Sequence, residues 1–240
     1  MAEDLHEAPA GAFVWKDLHT GVIRRYKASR FDRHFRFSIP AAIALFIASM
    51  VANGYAMQYA TDKASNSVTD IILSNIPVFD VDWLFVYGAI GFVVLIVILS
   101  LFYPKRIPFT LHAMSVLFLT RAVFVSLTHL GLYPTHATLD FQSKIILAIF
   151  GGGDEFFSAH TAIPFLMALI YWHEKPFRYF FIAASLFFGV IVLLGHWHYS
   201  IDVLAAFFIT YGVYHMALWL FPKERALFLE DEMAHGVPLT

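Results

Sequence analysis

The sequence of 240 residues contains no cysteine. This excludes disulfide bonds, thiolate catalysis and cysteine-ligated metal centres, although it does not fix the cellular compartment. Charged residues are also scarce, at 14% of the chain, and they nearly cancel to a net charge of -2. Because this balance provides no broad basic field, we predict no nucleic-acid partner.

Apolar sequence dominates the chain. Hydrophobic residues make up 59% of it, a share typical of an integral membrane protein. Crossing the hydrocarbon core as a helix takes about 20 residues. We predict an all-α polytopic membrane protein with six transmembrane helices, near Phe37–Tyr59, Trp83–Tyr103, Phe109–Leu130, Phe157–Trp172, Arg178–Gly195 and Tyr199–Phe221.

Basic and acidic residues alternate from one predicted loop to the next, which orients a helical bundle. The loop after the second span contains Lys105 and Arg106, and the loop after the fourth contains Lys175 and Arg178. The opposite loops carry mainly aspartate and glutamate. We therefore expect both termini in the cytoplasm and the acidic loops on the periplasmic or lumenal side.

Three segments follow from this pattern. Residues 1–36 form a basic cytoplasmic segment, predicted to contain an amphipathic helix on the membrane surface, with a disordered tail as the alternative. Residues 37–221 form the six-helix transmembrane domain, and residues 222–240 form a cytoplasmic tail. Aromatic residues near the helix ends are assigned to an interfacial belt: Trp83, Tyr103, Tyr171, Trp172, Trp197, Tyr199 and Trp219.

Two polar clusters interrupt the apolar sequence at the same predicted membrane face. They are GDEFFSAHT at residues 153–161 and HWHYSID at residues 196–202. Ionisable groups in such places are energetically costly, which makes them candidates for function.

His198 and Asp202 are four residues apart at the start of the sixth span and therefore share one helix face. A carboxylate beside an imidazole fixes its tautomer and leaves the other ring nitrogen to attack or to accept a proton. The alternative is a helix-end histidine beside an ordinary capping carboxylate. A second cluster of matching type at the same face favours the functional interpretation.

His160 stands at the start of the fourth span, where Ser158 is a suitable N-cap residue. Backbone N–H groups at such a helix start bind phosphate, and a histidine there can act as an acid or a base. The alternative is a capped helix with an interfacial histidine. Asp154 and Glu155 would orient or protonate His160, or serve as an auxiliary base.

Metal binding is the competing interpretation of the acidic and histidine residues. Zinc has suitable ligand types here, but no spacing matches a known zinc motif. We predict no metal and no cofactor. Arg121, inside the third span, is expected to hold a lipid phosphate or to pair with a buried carboxylate, with a purely structural role as the alternative. His196 and Tyr199 are grouped with it as auxiliary or substrate-binding residues.

The two clusters resemble the signature segments of sphingomyelin synthases and related proteins, within the type 2 phosphatidic acid phosphatase superfamily. The family segments Gly-Asp-x-x-x-Ser-Gly-His-Thr and His-x-His-Tyr-Thr-x-Asp are matched except at Ala159 and Ser200. The resemblance implies a catalytic triad of His160, His198 and Asp202 on the exoplasmic side of six helices.

The phosphatases of that superfamily carry Lys-x6-Arg-Pro and an arginine six residues before the catalytic histidine. This chain has Val192 six residues before His198, and it contains no Lys-x6-Arg-Pro motif. A phosphomonoester needs several cations, whereas a diester carries one charge, so the sequence favours a diester. The resemblance to sphingomyelin synthases then implies transfer of phosphocholine or phosphoethanolamine from a glycerophospholipid to ceramide or a similar alcohol, releasing diacylglycerol. A lipid phosphatase and a lipid-binding or transport protein are the alternatives.

Overall fold

The computed structural model describes residues 22–23, 25–27, 29, 32–137, 156–234 and 236, and regular structure in this part of the chain is helical. A short 3-10 turn at Pro104–Arg106 joins the second and third helices. The helices are α1 Arg33–Asp62, α2 Asp82–Phe102, α3 Ile107–Leu127, α4 Ala159–Ile170, α5 Lys175–Leu194, α6 Ser200–Leu220 and α7 Pro222–Ala234.

Local sequence accounts for several helix starts. The Asp32 side chain accepts hydrogen bonds from the backbone N–H groups of His34 (2.8 Å) and Phe35 (3.2 Å), which caps α1. Pro108 and Pro176 lie in the first turns of α3 and α5. A proline is tolerated there because its missing N–H has no intrahelical partner in that turn.

Five of these helices are long and apolar enough to cross a membrane: α1, α2, the stretch Pro104–Leu127, α5 and α6. They lie within a few residues of five predicted spans. The remaining predicted span, near Phe157–Trp172, corresponds to α4, which has 12 residues. Such a helix is about 18 Å long, against a hydrocarbon core of about 30 Å. The architecture is that of a multi-pass membrane protein.

The short helix α4 lies inside the bundle. It packs against α5 and α6, while α1 packs along α3 and α3 contacts α6. The first residues of α4 are therefore held by protein rather than by lipid. The buried core that encloses α4 includes Phe109, Leu117, Ala162, Leu166, Met167, Ile170, Phe181, Ala206 and Val213.

A buried cluster of charges closes the opposite end of the bundle. The Arg106 guanidinium is 1% exposed, forms an ion pair with Glu174 and donates to the Asp231 carboxylate at 2.7 Å. Its Cζ also lies 4.3 Å from the ring centroid of Tyr103 and 5.0 Å from that of Phe228. These contacts tie the α2–α3 turn, the α4–α5 turn and α7 together. The basic loops of the sequence pattern therefore share one end.

The aromatic belt is predicted wrongly at two positions. Tyr171 is 0% exposed and Tyr199 is 1% exposed, whereas Trp83 and Trp219 are 62% and 79% exposed, as a belt requires. The reason is that protein covers both helix ends. The Tyr171 ring packs against Phe181 of α5 and Phe228 of α7, and loop segments cover Tyr199. The Tyr199 hydroxyl, for example, donates to the Gly131 carbonyl at 2.8 Å.

Part of the basic N-terminal segment is described, and it is helical at residues 22–23, 25–27 and 29. Arg25 Nη1 donates to the Phe102 carbonyl at 2.9 Å, and its Cζ lies 4.8 Å from the Tyr103 ring centroid. This segment therefore lies beside the end of α2. Most of the predicted amphipathic helix lies outside the described residues.

Replacing Arg106 with alanine should strongly destabilise the fold. Glu174 and Asp231 would lose the guanidinium that compensates them, a change that costs about 3–5 kcal/mol for buried pairs. Thermal unfolding of the detergent-solubilised protein measures the effect. Lys105→Ala is the matched control, since Lys105 pairs with the half-exposed Glu230 and should contribute about 1 kcal/mol or less. Equal effects of the two substitutions would contradict this role of Arg106.

Candidate active site

The starts of α4 and α6 are joined directly, which brings the two polar clusters together. The backbone N–H of Ser158 donates to the carbonyl of Asp202 at 3.3 Å. Two residues just before these helices have positive φ angles, Phe157 at 29° and His196 at 55°. Such angles are uncommon for bulky residues and concentrate where a structure holds functional groups. Phe157 is three residues before His160, and His196 is two residues before His198.

Asp202 is the centre of the site. It is 0% exposed, and its Oδ2 accepts a hydrogen bond of 2.9 Å from the backbone N–H of Tyr199. The same oxygen lies 3.6 Å from Nδ1 of His198, which is 6% exposed. That separation is longer than a direct hydrogen bond, as is common in catalytic pairs without substrate. The arrangement turns Nδ1 toward the carboxylate and leaves Nε2 for chemistry.

His160 is held by aromatic rings on the side facing α2. Its ring stacks on Phe85 with centroids 4.1 Å apart and planes at 28°, and Phe85 in turn lies 4.1 Å from the Trp197 ring. His160 also interacts electrostatically with His198 and with Arg121. The two candidate histidines therefore belong to one site.

Among the described residues, Arg121 is the buried arginine at the end of the bundle that holds His160 and His198, and it is 4% exposed. Its Nε donates to the Phe157 carbonyl at 3.3 Å, and its Nη1 donates to Asn53 Oδ1 at 3.2 Å. Its charge also acts on Asp202. These contacts place a guanidinium directly beneath the start of α4, next to the carboxylate and the histidines.

Ser158 occupies the N-cap position of α4, as its residue type predicts, but its hydroxyl makes no capping bond. The first intrahelical bond runs from Ala162 N to Ser158 O at 2.9 Å. Ser158 Oγ is buried and has no hydrogen-bond partner among the residues that the structure describes. An unpartnered hydroxyl at a helix start is suited to an incoming anion.

His196 and Tyr199 lie beside the site rather than in it. His196 Nδ1 is 2.7 Å from Thr135 Oγ1, and burial lowers the pKa of His196 despite the opposing charge of Asp70. The Tyr199 hydroxyl accepts from the backbone N–H of Val68 at 3.2 Å. Both side chains thus hold the loops around the start of α6.

Asp154 and Glu155 lie outside the described residues. In the part of the chain that is described, histidine, aspartate and glutamate residues form no group of three that could hold a metal ion.

Asp70 is a residue that the sequence patterns do not reveal. Its Oδ2 accepts from the Ser200 backbone N–H (2.8 Å) and hydroxyl (2.7 Å), and its Oδ1 accepts from the N–H groups of Ile72 (2.8 Å) and Leu73 (3.0 Å). Burial raises the pKa of Asp70, but these four hydrogen bonds outweigh it and hold the pKa below its ordinary value. Asp70 thus caps α6 from another loop, in the same first turn that contains Asp202.

Two further contributors, Asn53 and Phe85, were also not predicted. A polar residue inside the first span is a usable signal for Asn53, because such residues are rare in membranes and usually have partners. Phe85 carries no signal, since it is one of 26 phenylalanines in an apolar chain. Asp70 likewise lacks a local signal, because its partner Ser200 is 130 residues away.

The assembled groups are suited to phosphoryl transfer. Imidazoles are able to act as nucleophiles or proton carriers, a buried carboxylate lies beside one of them, and a buried guanidinium is the kind of group that compensates phosphate charge. The site is largely removed from water by the surrounding protein, which strengthens each of these electrostatic contributions.

Replacing Asp70 with asparagine should lower both stability and turnover. The new amide group would face donors that require an acceptor, and hydrogen bonds to charged groups contribute about 1.5–3 kcal/mol. The lowered pKa means that the contribution of Asp70 is complete at neutral pH and is lost only as the pH falls below about 4. Thermal unfolding and steady-state turnover at neutral pH measure the effect.

Asp62→Asn is the control for that substitution. Asp62 is exposed and accepts a hydrogen bond from Gln58 within its own helix. Unchanged stability and turnover in Asp70→Asn, matching Asp62→Asn, would show that the Asp70 cap does not support the site.

Comparison with known proteins agrees with this chemistry. No curated protein and no solved structure matches the chain. A family model described as PAP2 superfamily C-terminal matches residues 151–219, a segment that contains both polar clusters, α4, α5 and most of α6. The match extends to the superfamily and not to sphingomyelin synthases in particular. It supports placing this part of the chain in the type 2 phosphatidic acid phosphatase superfamily, whose members act on phosphate groups.

Proposed function

We propose that the protein is a sphingomyelin synthase-like lipid phosphotransferase. It moves phosphocholine or phosphoethanolamine from a glycerophospholipid to ceramide or a similar lipid alcohol and releases diacylglycerol. The superfamily match supports an activity on lipid phosphate groups. The choice of transferase over phosphatase depends on the charge balance at the site.

The observation that carries this choice is the small number of buried cations in the part of the chain that the structure describes. Of the buried arginines in the described part of the chain, Arg121 lies at the site, while Arg106 and Arg225 lie in the charge cluster at the other end. Arg121 already compensates part of the Asp202 charge. One shared guanidinium suits the single charge of a diester better than the double charge of a monoester.

In the first half of the proposed reaction, Nε2 of His198 attacks the donor phosphorus. Asp202 stabilises the positive charge that develops on this ring. The bond from phosphorus to the diacylglycerol oxygen breaks, and His160 gives a proton to that oxygen. The product of this half is a phospho-head group joined to His198, with diacylglycerol free to leave.

In the second half, His160 takes the proton of the acceptor hydroxyl, and the resulting oxygen attacks phosphorus. The bond from phosphorus to His198 breaks, so the head group passes to the acceptor and both histidines return to their starting states. Arg121 and the start of α4 hold the phosphate oxygens throughout. Water in place of the alcohol gives a phospholipase C-like side reaction.

The proposal also places the site on the periplasmic or lumenal face. The candidate residues lie at the starts of α4 and α6, and the loop residues Lys105, Arg106 and Lys175 lie at the opposite end. By the positive-inside rule, the basic end faces the cytoplasm. The donor and acceptor would then be lipids of the outer leaflet.

Product analysis of the purified protein tests the proposed function. The protein is given ceramide with phosphatidylcholine, phosphatidylethanolamine, phosphatidylinositol and phosphatidic acid, beside His198→Ala, and the lipids are measured by mass spectrometry. We expect one new phospho-head-group ceramide and an equal amount of diacylglycerol. Both should fall by at least about 10³-fold in the variant, since such nucleophiles are needed for the chemical step.

Two other outcomes would replace the proposal. Free phosphate from phosphatidic acid, with the diesters untouched, would identify a lipid phosphatase. No chemical change to any lipid, with binding retained in His198→Ala, would identify a lipid-binding or transport protein.

A further inference from the structure

A buried serine of α5 contacts the start of α4. Ser185 is 0% exposed, and its hydroxyl donates to the carbonyl of Thr161 at 2.8 Å. Polar side chains inside membrane helices are costly and usually have a partner. The partner of Ser185 belongs to another helix, whereas the buried Ser115 of α3 donates to Leu111 of its own helix at 2.7 Å. Ser185 therefore joins two helices, and it does so at the residue that follows His160.

The first turn of α4 lacks one of its helical hydrogen bonds. Pro164 lies inside α4. Because proline has no N–H, the bond that residue 164 would otherwise donate to the His160 carbonyl is missing, and the proline ring crowds that carbonyl. The turn that holds His160 is thus tied less firmly to the rest of α4 than an ordinary helical turn. A contact from another helix has more influence on such a turn.

The same face of α5 approaches this turn again, one helical turn beyond Ser185. A Cβ atom added at Gly189 would lie 3.5 Å from Oγ1 of Thr161, so the α5 backbone lies next to that side chain. The neighbouring Phe188 has its ring centroid 6.1 Å from that of His160. Residues three and four apart share a helix face. One face of α5 thus supports both residues of the turn.

We propose that Ser185 is a positioning residue for His160. The proposal rests on the proposed function, in which the His160 imidazole gives a proton to the diacylglycerol oxygen and takes one from the acceptor. Such a transfer requires hydrogen-bond reach between the ring and the oxygen. The backbone of His160 sets where its ring lies, and the Ser185 hydroxyl fixes that backbone through the carbonyl of the following residue. This contact offsets the bond that Pro164 removes.

Three variants isolate the contact. Ser185→Ala removes the bond between the helices and leaves the apolar packing nearly unchanged. Ser115→Ala is the matched control, because it removes a buried serine hydroxyl whose bond stays within α3. Ser185→Cys keeps the size of the side chain but donates only weakly, and it serves if the alanine variant folds poorly. Thermal unfolding of the detergent-solubilised protein checks that each variant is folded.

Kinetics with a phospholipid donor give the first readout. Ser185→Ala should lower kcat about tenfold with KM unchanged, because displacing a catalytic group by about 1 Å costs up to about 10²-fold. The loss in Ser185→Cys should be smaller, and Ser115→Ala should match the unaltered protein. Equal kcat values in Ser185→Ala and Ser115→Ala would overturn the proposal.

An activated donor separates the positioning of His160 from a general loss of structure. The nitrophenolate of p-nitrophenyl phosphocholine leaves without an acid, so the first half of the reaction no longer needs His160. The rate of the nitrophenolate burst in Ser185→Ala should therefore stay within about twofold of the rate in the unaltered protein. A burst slowed as much as kcat with the phospholipid would show a general structural role and contradict the proposal.

A double-mutant cycle tests the part played by Pro164. Pro164→Ala restores an N–H that is able to donate to the His160 carbonyl, so the turn depends less on α5. Ser185→Ala should then lower kcat about threefold or less, against about tenfold when residue 164 is proline. An undiminished loss would count against the proposal decisively, because the hydroxyl would not be offsetting the missing bond.

Hydrogen exchange provides a readout that does not need turnover. The Ala162 amide, which donates to the Ser158 carbonyl at 2.9 Å, reports on the first turn of α4. It should exchange about 2- to 10-fold faster in Ser185→Ala, as expected for the loss of one hydrogen bond, and not in Ser115→Ala. Unchanged exchange in Ser185→Ala would refute the proposal. Faster exchange in a protein that converts no lipid would support the contact and contradict the proposed function.

Discussion

The buried carboxylate of Asp202 is the constraint on which the arrangement of the site depends. A fully buried carboxylate near membrane depth is costly unless charges and hydrogen bonds compensate it. Here the compensation comes from the Tyr199 backbone N–H, from His198 and from the charge of Arg121. Satisfying this one group therefore draws the start of α6 and Arg121 of α3 to one place. The backbone carbonyl of the same residue accepts a hydrogen bond from the Ser158 N–H, which adds the start of α4.

Protein rather than lipid surrounds that place, and this is why α4 can be short. Asp70 caps α6 from a distant loop, the Phe85 ring supports His160, and Asn53 supports Arg121. At the other end, the Arg106 cluster fixes the same helices by their opposite termini. Rigid support at both ends favours catalysis, because phosphoryl transfer depends on positioning and electrostatics more than on covalent chemistry by the protein.

Sequence patterns predicted the helical membrane architecture and five of the spans closely, because hydropathy over about 20 residues is a strong local signal. They also singled out His160, His198, Asp202 and Arg121, since ionisable residues are rare in apolar sequence. They gave no sign of the Asp70 cap, because its partner Ser200 is distant in the chain. They also placed Tyr199 at the membrane interface, because a tyrosine at a helix end carries no information on which loop covers it. Long-range contacts of this kind appear only in the folded structure.

The central claim is that His198 carries the phospho-head group while His160 moves the proton. Presteady-state kinetics with p-nitrophenyl phosphocholine and its phosphoethanolamine counterpart test it directly, because nitrophenolate leaves without an acid. His160→Ala should release a burst of nitrophenolate equal to the enzyme concentration and accumulate an acid-labile phosphohistidine at position 198, whereas His198→Ala should do neither. A phosphohistidine at position 160 in His198→Ala, with no burst in His160→Ala, would contradict the account.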